Sequence, residues 1–105
     1  MNFNLVLARM STWVFAKGKR EEGFLKLDLV LSALTRNTRG FRGLMTLLSR
    51  DNSNAAVVLT LWEDEDCLKD SEEGVFRDAQ YRVAELLESQ PKVENFRVFS
   101  AELRQ

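Results

Sequence analysis

Between Phe41 and Trp62 two apolar runs flank the polar tetrapeptide Asp51-Asn52-Ser53-Asn54. Strand-length runs joined by a short polar connection predict a β-hairpin, here over residues 41–50 and 55–62. Upstream, residues 3–13 form a near-continuous apolar run free of glycine and proline, which predicts a strand. Its odd positions carry Phe3, Leu5, Leu7, Arg9, Ser11 and Trp13, and its even positions Asn4, Val6, Ala8, Met10 and Thr12. Both faces are largely apolar, which implies a strand covered on two sides.

After the break at Lys17-Gly18, residues 19–36 read as a helix. Phe24, Leu27, Val30, Leu31 and Leu34 fall on one stripe, with a weaker patch at Leu25 and Leu29. Glu21 and Glu22 in the first turn and Arg36 in the last suit the helix dipole. Glu63-Asp64-Glu65-Asp66 opens a second helical segment on the same ground, with a break expected at Asp70-Ser71 or at Gly74. Over residues 75–90 the face Val75, Phe76, Ala79, Val83, Leu86 and Leu87 predicts a longer helix, stopped by Pro91. Residues 93–103 then read as a final strand.

Strand, helix, hairpin, helix, strand is the ferredoxin-like βαββαβ order. It implies an α+β fold with one four-stranded antiparallel sheet and a single domain over residues 1–105. Right-handed crossovers put both helices on one face of the sheet. The other face is then bare, and apolar strands make it too large a patch for a monomer. A homodimer packed through that sheet face, forming a dimeric α/β barrel, is expected.

Composition narrows the chemistry. Fifteen Lys and Arg against sixteen Asp and Glu leave a formal charge of −1, which argues against a nucleic-acid partner. No apolar stretch approaches a membrane span, and no signal segment opens the chain, so no membrane role and a cytoplasmic location are expected. The one cysteine, Cys67, forbids an intrachain disulfide. The complete lack of histidine removes Ser-His and Cys-His nucleophilic pairs, most zinc sites and a haem-ligating imidazole.

Several motifs resemble those of antibiotic biosynthesis monooxygenase (ABM) domains. Gly40-Phe41-Arg42-Gly43 resembles their signature at the entry to the second strand, and Leu61-Trp62-Glu63-Asp64-Glu65 their strand-end Trp-Glu element. Gly18 with Glu21, Glu22 and Phe24 is similar to their helix start, and Phe76 and Pro91 fall at family positions. The resemblance spans nearly the whole chain and implies the dimeric α/β barrel. It also implies one of two functions. The first is a cofactor-independent monooxygenase acting on a small aromatic or quinol-type molecule. The second is a non-catalytic ligand-binding or structural homodimer. The family's haem-degrading branch uses an aromatic and then a histidine in the second helical segment, at places that fall here on Ser71 and Gln80. Haem degradation is therefore excluded.

No catalytic constellation stands out, and the pocket candidates are Asn4, Arg9, Trp62 and Gln80. A buried arginine can hold an anionic substrate, so Arg9 is a ligand candidate unless its face is the dimer side, where it would pair with an acid. Asn4 offers an amide on the opposite face, as against a solvated strand end. Trp62 reads first as strand-end packing and second as a pocket wall. Gln80, like Asp28 and Thr35, borders an apolar helix stripe. Tyr81 lies off the core face. Cys67 follows four acids that raise a thiol's pKa, which argues against a nucleophile. The acidic run is read as a helix start, and no metal or other cofactor is expected.

Overall fold

β2 (Phe41–Leu48) and β3 (Ala55–Trp62) pair antiparallel and form the predicted hairpin in the computed structural model, which describes residues 6–104. The connection is longer than the tetrapeptide suggested, because β2 ends at Leu48. Ser49 Oγ accepts the amides of Asp51 and Asn52 at 3.3 and 3.0 Å, and Asn52 Oδ1 accepts that of Asn54 at 2.9 Å. These side chains hold the turn where the ladder stops. β3 packs antiparallel against β1 (Leu7–Val14), and β1 against β4 (Lys92–Arg97), giving the order β2-β3-β1-β4. This is the ferredoxin-like α+β fold.

α1 (Arg20–Thr35) buries Gly23, Leu27, Leu31 and Thr35, a run at intervals of four that lies on the sheet. Phe24, Val30 and Leu34 flank that line and pack against the same core, as the stripe predicts, whereas Leu25 and Leu29 stay exposed. Burying Leu27 and Leu31 supplies about 1.5–3 kcal/mol each. The core they join comprises Trp13, Phe15, Ala56, Val58, Ala79 and Val83.

The second helical segment departs from expectation. α2 (Glu65–Ser71) does not break at Asp70-Ser71 or Gly74. It runs through a π turn (Glu72–Phe76) into α3 (Arg77–Val83) and a last 3₁₀ turn (Ala84–Leu86). A wider turn accommodates the extra residue without ending the helix, and a single glycine costs only about 1 kcal/mol there. The segment stops at Leu86, short of residue 90, because Leu87 turns extended and bridges Phe15. The final strand is also shorter than predicted. β4 ends at Arg97, and the last backbone bond along that edge runs from Val98 N–H to Val6 O at 3.0 Å. Phe99 and Leu103 beyond it are exposed. The first residues of the predicted opening strand, Asn4 among them, lie outside the described residues.

Register separates the two faces of the sheet. Arg9 stands opposite Thr60, Ser11 opposite Val58 and Trp13 opposite Ala56, all buried beneath the helices. The alternate positions Met10, Met45, Leu47, Val57, Leu59, Leu61 and Phe96 form the other face. No helix among the described residues covers it, and Met45, Leu47 and Phe96 are each more than two-fifths exposed. No helix of the described residues is long and apolar enough to cross a membrane.

Candidate functional site

Sheet and helices enclose a small cavity floored by β1 and β3. Arg9, Ser11 and Trp13 come from the first strand, and Val58, Thr60 and Trp62 from the second; Leu31, Thr35, Val75 and Phe76 close it from above. Its volume is about 10 Å³, room for roughly one water molecule. Two strand pairs shape the floor in the same way. Trp13 Nε1 donates to Ser11 Oγ at 2.8 Å, and Trp62 Nε1 donates to Thr60 Oγ1 at 2.9 Å. Alternation on a strand puts residues two apart on one face, so each indole N–H finds a hydroxyl without leaving the floor. Phe76 tilts against Trp13 at 5.6 Å, and Phe41 meets Trp62 edge-on at 5.7 Å.

Arg9 is the charged centre of this region and is only 2% exposed. Its Nη2 donates to Leu68 O at 2.8 Å and lies 3.4 Å from Glu72 Oε1. The guanidinium carbon sits 5.0 Å from the centre of the Phe76 ring, a cation–π contact. Its Nε is buried with no hydrogen-bond partner among the described residues. Burial pushes the guanidinium below the ordinary arginine value, and Glu72 pulls it back up by charge and hydrogen bonding. Arg9 therefore lies on the helix side, and its acid comes from the π turn rather than from the bare sheet face.

Outside Phe76 the cavity gives way to an open groove of about 350 Å³ lined by Arg9, Glu72, Phe76, Arg77, Gln80 and Val93. Arg9 is common to both spaces. The structure thus joins three of the four sequence candidates in one region: Arg9 between the two spaces, Trp62 in the inner floor and Gln80 on the outer rim. Asn4 lies outside the described residues. Ser71 is buried and donates to Leu68 O at 2.6 Å. Thr35 donates to Leu31 O at 2.6 Å, and Asp28 accepts from Thr46, away from the cavity. Sequence reading missed Thr60 and Glu72. A hydroxyl two places before a tryptophan on each of two strands was the available signal for Thr60.

A second cluster has a structural cause. Ligand atoms of Glu63, Asp64 and Cys67 lie within 4.8 Å of one another. Asp64 is the N-cap of α2 and accepts the Cys67 amide at 2.9 Å, which brings these positions together. Hydrogen bonds from Cys67 hold the Asp64 carboxyl below its ordinary value. Burial, then Asp64, pushes the Cys67 thiol up, against nucleophilic use. Glu63 is engaged by Arg42 at 2.7 Å.

The fold and its cavity define a class: ferredoxin-like domains whose helices cover one sheet face and leave the other open. No family model matches the chain, and no curated protein matches it. Among solved structures, a Bordetella bronchiseptica protein provisionally named an antibiotic biosynthesis monooxygenase is similar with a TM-score of 0.75 and 14% identity, over 90% of this chain and 98% of that one. A Nitrosomonas europaea protein of the same provisional name reaches a TM-score of 0.77 at 11% identity, over 91% and 92%. A variant of SnoaB, a cofactor-independent oxygenase from Streptomyces nogalater, is similar with a TM-score of 0.75 and 16% identity, over 92% and 96%. At such identities the likeness is one of fold, and the resemblance read from the ABM motifs extends to the whole architecture.

Proposed function

We propose that this chain is an ABM-type, cofactor-independent monooxygenase acting on a small aromatic or quinol-type molecule. The observation that carries the reading is the buried cation Arg9, placed beside Trp62 and open to a groove of ligand size. Cofactor-free oxygenation needs a substrate that ionises to an electron-rich anion. One atom of O₂ then enters a ring carbon and the other leaves as water, with all the electrons coming from the substrate. The protein's part is to hold the anion, and a fixed cation in a dry site is worth far more than one in water. Arg9 supplies that charge, with the Phe76 ring beside it at the mouth of the groove. The inner cavity is too small for a ring, so the ring occupies the groove with its oxygen toward Arg9.

The same reading includes a homodimer through the bare sheet face. Seven large apolar side chains on that face would be covered by the same face of a second copy, giving two packed sheets. The test of catalysis is oxygen uptake on a panel of quinols and anthrone-like phenols after dialysis against chelator. Enzyme-dependent uptake of one O₂ per substrate is expected. Absence of uptake across the panel, or activity restored only by added metal, would refute the proposal. One observation favours the second reading, a non-catalytic binding or structural homodimer: side chains fill the helix–sheet interface down to the room of a single water.

A further inference from the structure

We infer that the groove beside α3 binds a small aromatic anion, a carboxylate or phenolate, whose oxygens replace the Glu72 carboxylate on Arg9. Three observations carry this. The first is the unused donor: Nε and Nη2 share one edge of a guanidinium, and on Arg9 only Nη2 is engaged. A planar carboxylate laid along that edge accepts from both nitrogens, whereas Glu72 reaches only Nη2. An orphaned donor on a residue 2% exposed is a standing cost that such a ligand removes.

The second is the looseness of the present partner. Glu72 Oε1 lies 3.4 Å from Nη2, longer than the roughly 2.7–2.9 Å of a tight charge-assisted bond, and its side chain is 47% exposed. It begins the π turn, the irregular part of the helical segment, a feature frequent at functional sites. The third is the surroundings. Phe76 and Val93 offer apolar contact to a ring, Arg77 adds a second positive charge, and Gln80 offers an amide at the rim. Glu72 is thus an internal anion that a ligand displaces, and its departure leaves the Leu68 O bond to Arg9 in place.

The inference rests on the proposed function only for placing a ring in the groove. Binding is therefore measured with benzoate, which is inert to oxygen, against benzamide, its neutral counterpart. Titration calorimetry gives the affinities, and the ¹⁵N-labelled arginine Nε resonance of Arg9 reports the site. Benzoate should bind at least tenfold tighter than benzamide and shift the Arg9 Nε signal. Glu72→Gln, checked for native circular dichroism, should tighten benzoate by threefold to tenfold and leave benzamide unchanged. Glu72→Asp, whose shorter carboxylate withdraws from Arg9, should act in the same direction. Equal affinity for the two probes, no binding of either, an unmoved Arg9 signal, or a benzoate affinity that Glu72→Gln leaves unchanged or weakens would each overturn the inference. Failure of oxygen uptake with benzoate binding intact would remove the catalytic reading and leave this one standing.

Discussion

Replacing Gly40 by alanine tests whether the glycine that opens β2 is there for packing. Gly40 has φ of +74°, the left-handed region, where a Cβ costs about 1–2 kcal/mol. A Cβ built there would stand 2.3 Å from Cys67 Sγ and 2.7 Å from Cys67 Cβ. Carbon contacts are comfortable near 3.5 Å, so α2 would have to retreat by roughly an ångström. Overpacking of that kind costs about 1–3 kcal/mol more. The same corner is tied on both sides: just past β3, Glu63 N–H donates to Gly40 O at 2.8 Å, and Arg39 pairs with Asp70 of α2 at 2.6 Å. Gly40→Ala should therefore destabilise by about 2–5 kcal/mol, lowering Tm by roughly 10 °C or more. Urea unfolding followed by circular dichroism measures the loss. Gly40→Ala with Cys67→Ala removes the worst contact and should be less damaging than the sum of the single changes by at least about 1 kcal/mol. A cost for Gly40→Ala below about 1 kcal/mol, or strict additivity in the double variant, would show that Gly40 is not kept by Cys67.

Leu59→Asp places a carboxylate in the middle of the bare sheet face; it should weaken the proposed homodimer by about 2–3 kcal/mol, roughly 30–150-fold in Kd, or cause aggregation. Sedimentation of the parent protein as a stable monomer of 12.1 kDa at micromolar concentration would refute the sheet-to-sheet dimer. Asp64→Ala should lower Tm at neutral pH by removing the α2 cap. Because the folded protein depresses the Asp64 pKa, that contribution is present above the unfolded value and is lost as pH falls through the folded one. The Tm gap between parent and variant should accordingly close on acidification below the ordinary aspartate range, and a gap independent of pH would contradict the capping role.

The hairpin and first helix were legible because each carries one clear period. β3 runs from Ala55 to Trp62 as its apolar run does, and the line Leu27, Leu31 lies on the sheet. Parity put Arg9, Ser11 and Trp13 on one face, but with both faces apolar it did not say which one the helices cover. That took the register opposite Thr60 and the descent of Glu72 from the π turn. The π turn itself was invisible, since Asp70-Ser71 and Gly74 read as breaks, and a wider turn leaves no residue signature. The last strand was read too long because Phe99, Ala101 and Leu103 continue its alternation. A strand needs a partner, and the backbone pairing recorded for β4 ends with Val98. The motif residues Gly40 and Trp62 proved to be packing and cavity-floor residues, which is why they point to the fold more sharply than to a reaction.

The two tryptophans of the chain, Trp13 and Trp62, both lie in the cavity floor, each wholly buried with its indole N–H bonded to an internal hydroxyl. The one tyrosine, Tyr81, is 82% exposed and stands apart on α3. Ultraviolet emission excited at the red edge of the indole band therefore comes from this single chamber. It serves as an optical gauge of the space between sheet and helices: blue-shifted while the chamber is dry, red-shifted once water enters. Quenching by dissolved oxygen compared with a bulky polar quencher reads how readily a diatomic gas reaches the floor that a larger solute cannot, with no label added to the protein.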